Sequence, residues 1–78
     1  MSLEKYNSAF KTAFDLTETD LNDDLVYQSI AEWDSVGHMA LIAELENSFD
    51  IMVDTEDIID FSSYNKGKEL LKKYNIEL

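Results

Sequence analysis

Apolar residues recur at helical spacing in three stretches of the chain, and between the first two they do not. Leu3, Tyr6, Phe10, Ala13 and Phe14 fall three and four apart, which predicts a helix near 2–15 with one apolar stripe. From 16 to 34, Leu16, Leu21, Leu25, Val26, Ile30 and Trp33 are scattered among Asp, Thr, Asn and Glu, and no single period fits them. A connection this long is unusual in a compact domain and tends to carry function. Its apolar residues are expected to pin it across the ends of the helices. The run from Ser35 to Phe49 is the strongest helix in the pattern. Residues 54–59 read as a short helix with acids in its first turn, where the helix dipole favours them. Tyr64, Gly67, Leu70, Leu71 and Tyr74 mark a last helix whose lysines lie toward its C-terminal half. The expected fold is all-α, a four-helix bundle with a long first loop and a short third helix, in one domain over 1–78.

The helix from Ser35 has two apolar faces. Turning the residues by about 100° each groups Leu41, Ile42, Leu45 and Phe49 with His38 in a wedge that reads as core. Val36, Met39, Ala40 and Ala43, edged by Glu46 and Asn47, form a second wedge. That face either packs on another helix of the domain or is presented to partners. Asp34 or Ser35 suits the N-cap, although His38 stands where a full capping box would place Glu or Gln. Ser62-Ser63 caps the last helix in the same way. A serine oxygen at a helix N-terminus can also hold a phosphate against unpaired amides. One histidine three positions along is a poor general base, so Ser35 is a better target for modification than a nucleophile. His38 itself reads as a packed side chain; the role that geometry would allow it is tuning a phosphodiester beside Ser35.

Composition narrows the chemistry. The 78 residues include no cysteine, one histidine, no proline and two glycines. Disulfides, thiolate metal sites, paired-histidine ligation and a glycine-rich phosphate loop are thereby excluded. The longest purely apolar run is Met39 to Ala43, so no membrane insertion and no signal peptide are expected, and the chain reads as a cytoplasmic monomer. The net charge of −11 is unevenly placed: residues 12–65 hold fourteen acids and no lysine, whereas all six lysines lie in 1–11 and 66–78. Such a field repels nucleic acid and favours basic protein partners, in encounters that added salt should weaken; plain solubility is the simpler reading. Asp20, Asn22 and Asp24 match the start of a calcium loop, but Leu25 and Ala31 stand at its diagnostic glycine and glutamate positions. Glu44 and Glu46 come with no oxyanion or metal constellation, so no enzyme is expected.

Trp33-Asp34-Ser35-Val36-Gly37-His38-Met39, continuing Leu41-Ile42-Ala43-Glu44-Leu45-Glu46 and closing with Phe49-Asp50, resembles the acyl carrier protein pattern around its attachment serine. The likeness extends to length, acidity, the long first loop and the short third helix. It implies a freestanding carrier in which Ser35 receives 4′-phosphopantetheine from coenzyme A through a magnesium-dependent phosphopantetheinyl transferase, with Asp34 as its acidic neighbour. The arm's thiol would hold an acyl or aminoacyl group as a thioester, which supplies the sulfur the chain lacks. The resemblance also implies that Val36, Met39, Ala43 and Glu46, with Glu56, Asp57 and Ile58 of the short helix, dock acyl-loading and acyl-accepting enzymes through basic surfaces. Leu45, Ile58 and Phe61 stand where the resemblance would have an acyl chain lined, and read equally well as ordinary core. Val-Gly-His after the serine, and Ala40 and Asn47 on the docking helix, depart from the fatty-acid members and point to a specialised pathway. The competing reading is an acidic adaptor of the same shape that is never modified, and modification of Ser35 separates the two.

Overall fold

The computed structural model describes residues 2–78, and four α-helices account for the three periodic stretches and the short acidic one: α1 Ser2–Phe14, α2 Ser35–Phe49, α3 Thr55–Asp60 and α4 Tyr64–Lys72. Among the described residues there is no strand, and the sole bridge is an isolated antiparallel one between Val26 and Ser63. The radius of gyration is 11.1 Å, as expected for a single small core. None of the described helices is long and apolar enough to cross a membrane.

Aromatic and aliphatic side chains share the core. Tyr6, Phe10 and Phe14 of α1 meet Trp33 from the long loop, Phe61 from the α3–α4 junction and Tyr64 from α4. Several of these rings stand edge to face, the arrangement their quadrupoles favour. Leu41, Ile42 and Leu45 complete the core from α2, as the first wedge predicts. Two details differ from the periodic reading. Leu3 is exposed at the start of α1, where the stripe runs off the end of the core and Ala9 is buried instead. Tyr74 lies beyond α4, which ends at Lys72.

Residues 15–34 are fastened rather than free. The segment opens with a 3₁₀ turn over Glu18–Asp20, and the Asp20 carboxylate accepts the Thr17 amide at 3.0 Å. It then pairs with the start of α4: the Tyr27 amide donates to the Ser62 carbonyl at 2.8 Å and the Tyr64 amide to the Leu25 carbonyl at 2.9 Å. Buried Leu25 and Trp33 pin its middle and its C-terminal end into the core.

Both glycines serve close approach, not turns. A Cβ on Gly37 would stand 1.9 Å from the Glu32 carbonyl oxygen, so only glycine lets the loop cross the first turn of α2 there. A Cβ on Gly67 would stand 2.2 Å from Phe61 Cζ and 2.3 Å from the Tyr6 hydroxyl. The left-handed backbone positions that often take glycine hold Asp15, Asp50 and Asn75 near helix ends, and Gln28 in the loop.

Candidate functional site

The N-terminus of α2 is built by the residue before it. Asp34 has extended backbone and its carboxylate accepts the Gly37 amide at 2.8 Å, which makes Asp34 the N-cap. Ser35 is then the first helical residue and is exposed. The amides of Ser35 and Val36 head the helix, where no backbone acceptor lies in a preceding turn. Around Ser35 the second face of α2 is open: Val36 is 78% exposed, Met39 53%, and Ala40, Ala43 and Asn47 are also exposed. This face is not consumed by packing within the domain.

His38 does not serve Ser35. Its Nδ1 accepts the indole N–H of Trp33 at 2.9 Å, and its Nε2 lies 2.7 Å from the Ile58 carbonyl oxygen. An indole only donates and a carbonyl only accepts, so the ring is the neutral tautomer protonated on Nε2. Both nitrogens are occupied, which rules out the phosphodiester-tuning role and makes His38 a link from the long loop through α2 to α3.

Of the remaining predicted docking residues, Glu56 is exposed on α3, and Ile58 is half-buried with its carbonyl held by His38. Glu46 is partly engaged inside the molecule, where its carboxylate accepts the Val53 amide at 2.9 Å and fixes the α2–α3 connection. Asp57 is a correction to the expected docking set. Only 2% exposed, it accepts from the Lys73 ammonium at 2.6 Å and from the Tyr74 hydroxyl at 2.5 Å. Those two hydrogen bonds hold its carboxyl below the usual carboxylate range, and the same bond to Asp57 holds Lys73 above the usual lysine value. Burial is the first cause of the rise in the Tyr74 hydroxyl, and its bond to Asp57 is the second. Asp57 is therefore an anchor for α3, turned inward by a helix too short to show a period in the sequence.

A cleft of about 280 Å³ opens between the long loop, α2 and α3, lined by Tyr27, His38, Ile58, Ile59, Phe61 and Ser62. Ile58 and Phe61 belong to it as expected, whereas Leu45 is fully buried in the core and does not line it. Tyr27, Ile59 and Ser62 were not foreseen. Tyr27 and Ser62 come together through the backbone pairing of 25–27 with 62–64, a long-range contact with no local signal. The cleft starts one helical turn from Ser35, because His38 follows it by three residues. Among the described residues, no group of three or more His, Cys, Asp or Glu side chains is arranged to hold a metal ion.

Searches of protein-family models, of curated proteins and of solved structures each return no match to this chain.

Proposed function

We propose that the chain is a carrier domain with the four-helix architecture of acyl carrier proteins, and that Ser35 is its attachment site for 4′-phosphopantetheine. The observation that carries this reading is an exposed serine at the first position of a capped helix, inside Trp-Asp-Ser-Val-Gly-His and beside an open apolar face. The local geometry fits a phosphodiester. The hydroxyl reaches solvent, two helix-heading amides stand next to it, and the helix dipole favours negative charge there. Bound, the arm supplies a terminal thiol that carries an acyl or aminoacyl group as a thioester.

The chain's own residues present and orient. Ser35 Oγ forms the bond to the β-phosphorus of coenzyme A, the pyrophosphate bond breaks, adenosine 3′,5′-bisphosphate leaves, and the hydroxyl proton passes to a base of the transferase. Asp34 fixes the turn that offers the hydroxyl, and Gly37 lets the Glu32 backbone pass behind it. Val36, Met39 and Ala43 offer an apolar contact surface to the transferase and to acyl-loading and acyl-accepting enzymes. The acids of residues 12–65 complement basic surfaces on those enzymes.

Intact-protein mass after incubation with coenzyme A, magnesium and a broad-specificity transferase tests the reading. Wild type is expected to gain one arm and Ser35→Ala none. A folded wild type that gains nothing, with the transferase active on another carrier, rejects the carrier and favours the unmodified adaptor.

A further inference from the structure

We propose that His38 is a proton-operated latch: when its ring takes a second proton it lets go of Trp33, and the loop from Gln28 to Asp34 loosens over the start of α2. The device operates whether or not Ser35 carries an arm. The Trp33 indole N–H donates to His38 Nδ1 at 2.9 Å, while the proton on Nε2 is spent on the Ile58 carbonyl at 2.7 Å. An imidazolium is a donor at both nitrogens, so two N–H groups would then face each other across the first contact. The second contact survives, because Nε2 keeps its proton. Protonation thus breaks the bond to the loop and leaves the bond to α3.

No carboxylate stands ready to hold the added charge. From the long loop the ring meets Trp33, stacked at 6.2 Å, and Tyr27, edge to face at 5.5 Å, whose phenol is uncharged in acid. Behind Trp33, α1 offers only Phe10 and Phe14. From α3 comes the Ile58 carbonyl, and the neighbouring Asp57 carboxylate is taken by Lys73 and Tyr74. The α3–α4 junction supplies Phe61 at 6.1 Å. On the α2 side the Asp34 carboxylate is taken by the Gly37 amide, and a cation in the first turn is opposed by the helix dipole. Among the described residues the ion pairs are Lys11–Glu18 and Lys73–Asp57, and neither includes the ring.

On the loop side, Trp33 is fully buried, so an indole N–H without its acceptor favours opening. The Trp33 carbonyl accepts the Gln28 amide at 3.0 Å and its amide donates to the Ile30 carbonyl at 3.2 Å, so the backbone of 28–33 moves with the indole. A free imidazole takes its proton near pH 6.5, so an opening that frees the ring is favoured by up to about thirtyfold at pH 5. The chain has one histidine, and no other side chain ordinarily titrates between pH 5 and 8.

The test follows amide hydrogen exchange, corrected for the intrinsic rate, with the Trp33 indole and His38 ring resonances of the whole chain from pH 8 to pH 5. Protection at Gln28 and Trp33 is expected to fall at least about fivefold, in step with the His38 ring resonances, while Leu41 and Leu45 keep theirs. No fall by pH 5, or an equal fall at Leu41 and Leu45, overturns the proposal. In His38→Gln an amide oxygen and an amide N–H replace the two ring nitrogens and never titrate, so protection is expected to be flat with pH. A fall of wild-type size in that variant overturns the latch. Should His38→Gln not fold, Trp33→Phe decides in its place: with no indole N–H to oppose the second proton, Gln28 is expected to lose its pH response, and a response that persists overturns the proposal.

Discussion

The two helices that wall the cleft, α2 and α3, both start at an aspartate and are held by different means. Asp34 caps α2 with its own carboxylate, and fifteen residues of helix then carry a full buried face of Leu41, Ile42 and Leu45. Asp54 makes no side-chain cap for α3, and its amide donates instead to the Tyr74 hydroxyl at 2.9 Å. The six residues of α3 are too few to be stable alone. They are tied down by Asp57 to Lys73 and Tyr74, by the Ile58 carbonyl to His38, and by Phe61 in the core. The wall bearing Ser35 is thus specified by local sequence, and the opposite wall by partners 16–20 residues away.

The largest single effect is expected where even α2 depends on tertiary contact. In Gly37→Ala the new methyl meets backbone, the Glu32 carbonyl, so the loop must shift. Chemical denaturation should show a loss of about 2–3 kcal/mol, despite the roughly 1 kcal/mol that alanine gains in helix propensity. A neutral result would mean that the 32–34 segment yields freely and that α2 alone sets the site.

Asp57→Asn probes the tether of α3. Amide hydrogen exchange should lose protection across 57–60 while α2 keeps its own. The pH dependence is specific. With its pKa lowered in the fold, Asp57 contributes stability that is present above the unfolded value of 3.8 and lost as pH falls through the folded one. Lys73, raised in the fold, contributes stability present below 10.5 and lost as pH rises through its folded value. The stability gap between wild type and Asp57→Asn should therefore be flat from about pH 5 to 10 and close in acid below about pH 4. Urea unfolding across that range checks it, and a gap that persists unchanged in strong acid would show that the carboxylate is not what holds α3.

The smallest effects compare the two caps directly. Asp34→Ala should cost about 1 kcal/mol and fray the first turn of α2, because a side-chain cap is lost. Asp54→Ala should stay within about 0.5 kcal/mol, since no such bond exists to lose. Equal losses would erase the distinction between a locally specified and a tethered helix.

Legibility in the sequence followed the same division. The limits of α2, its two faces and the capping Ser63 of α4 were readable from spacing and residue type, because each depends on neighbours within one or two turns. Asp57 was misplaced because a six-residue helix offers no period to say which of its acids turns inward. His38 was readable as a packed residue, but its two partners are set by the loop crossing and by α3, which spacing along α2 does not encode. The cleft was half legible: Ile58 and Phe61 belong to an apolar stretch, while Tyr27 and Ser62 are brought in by backbone pairing across 35 residues.

By itself, the sequence determined the helical order, the acidic middle with lysines at both ends and an Asp-Ser pair at the head of its strongest helix. Propensity, periodicity and capping act over a few residues, so they are written locally. Tertiary structure alone decided that the face with Val36 and Met39 stays open, that Asp57 is buried beneath Lys73 and Tyr74, and that Gly37 and Gly67 serve close packing. It also decided that Tyr27 and Ser62 meet His38 and Phe61 around one cleft, because burial and close approach depend on which distant segments meet, and that is fixed only when the whole core packs.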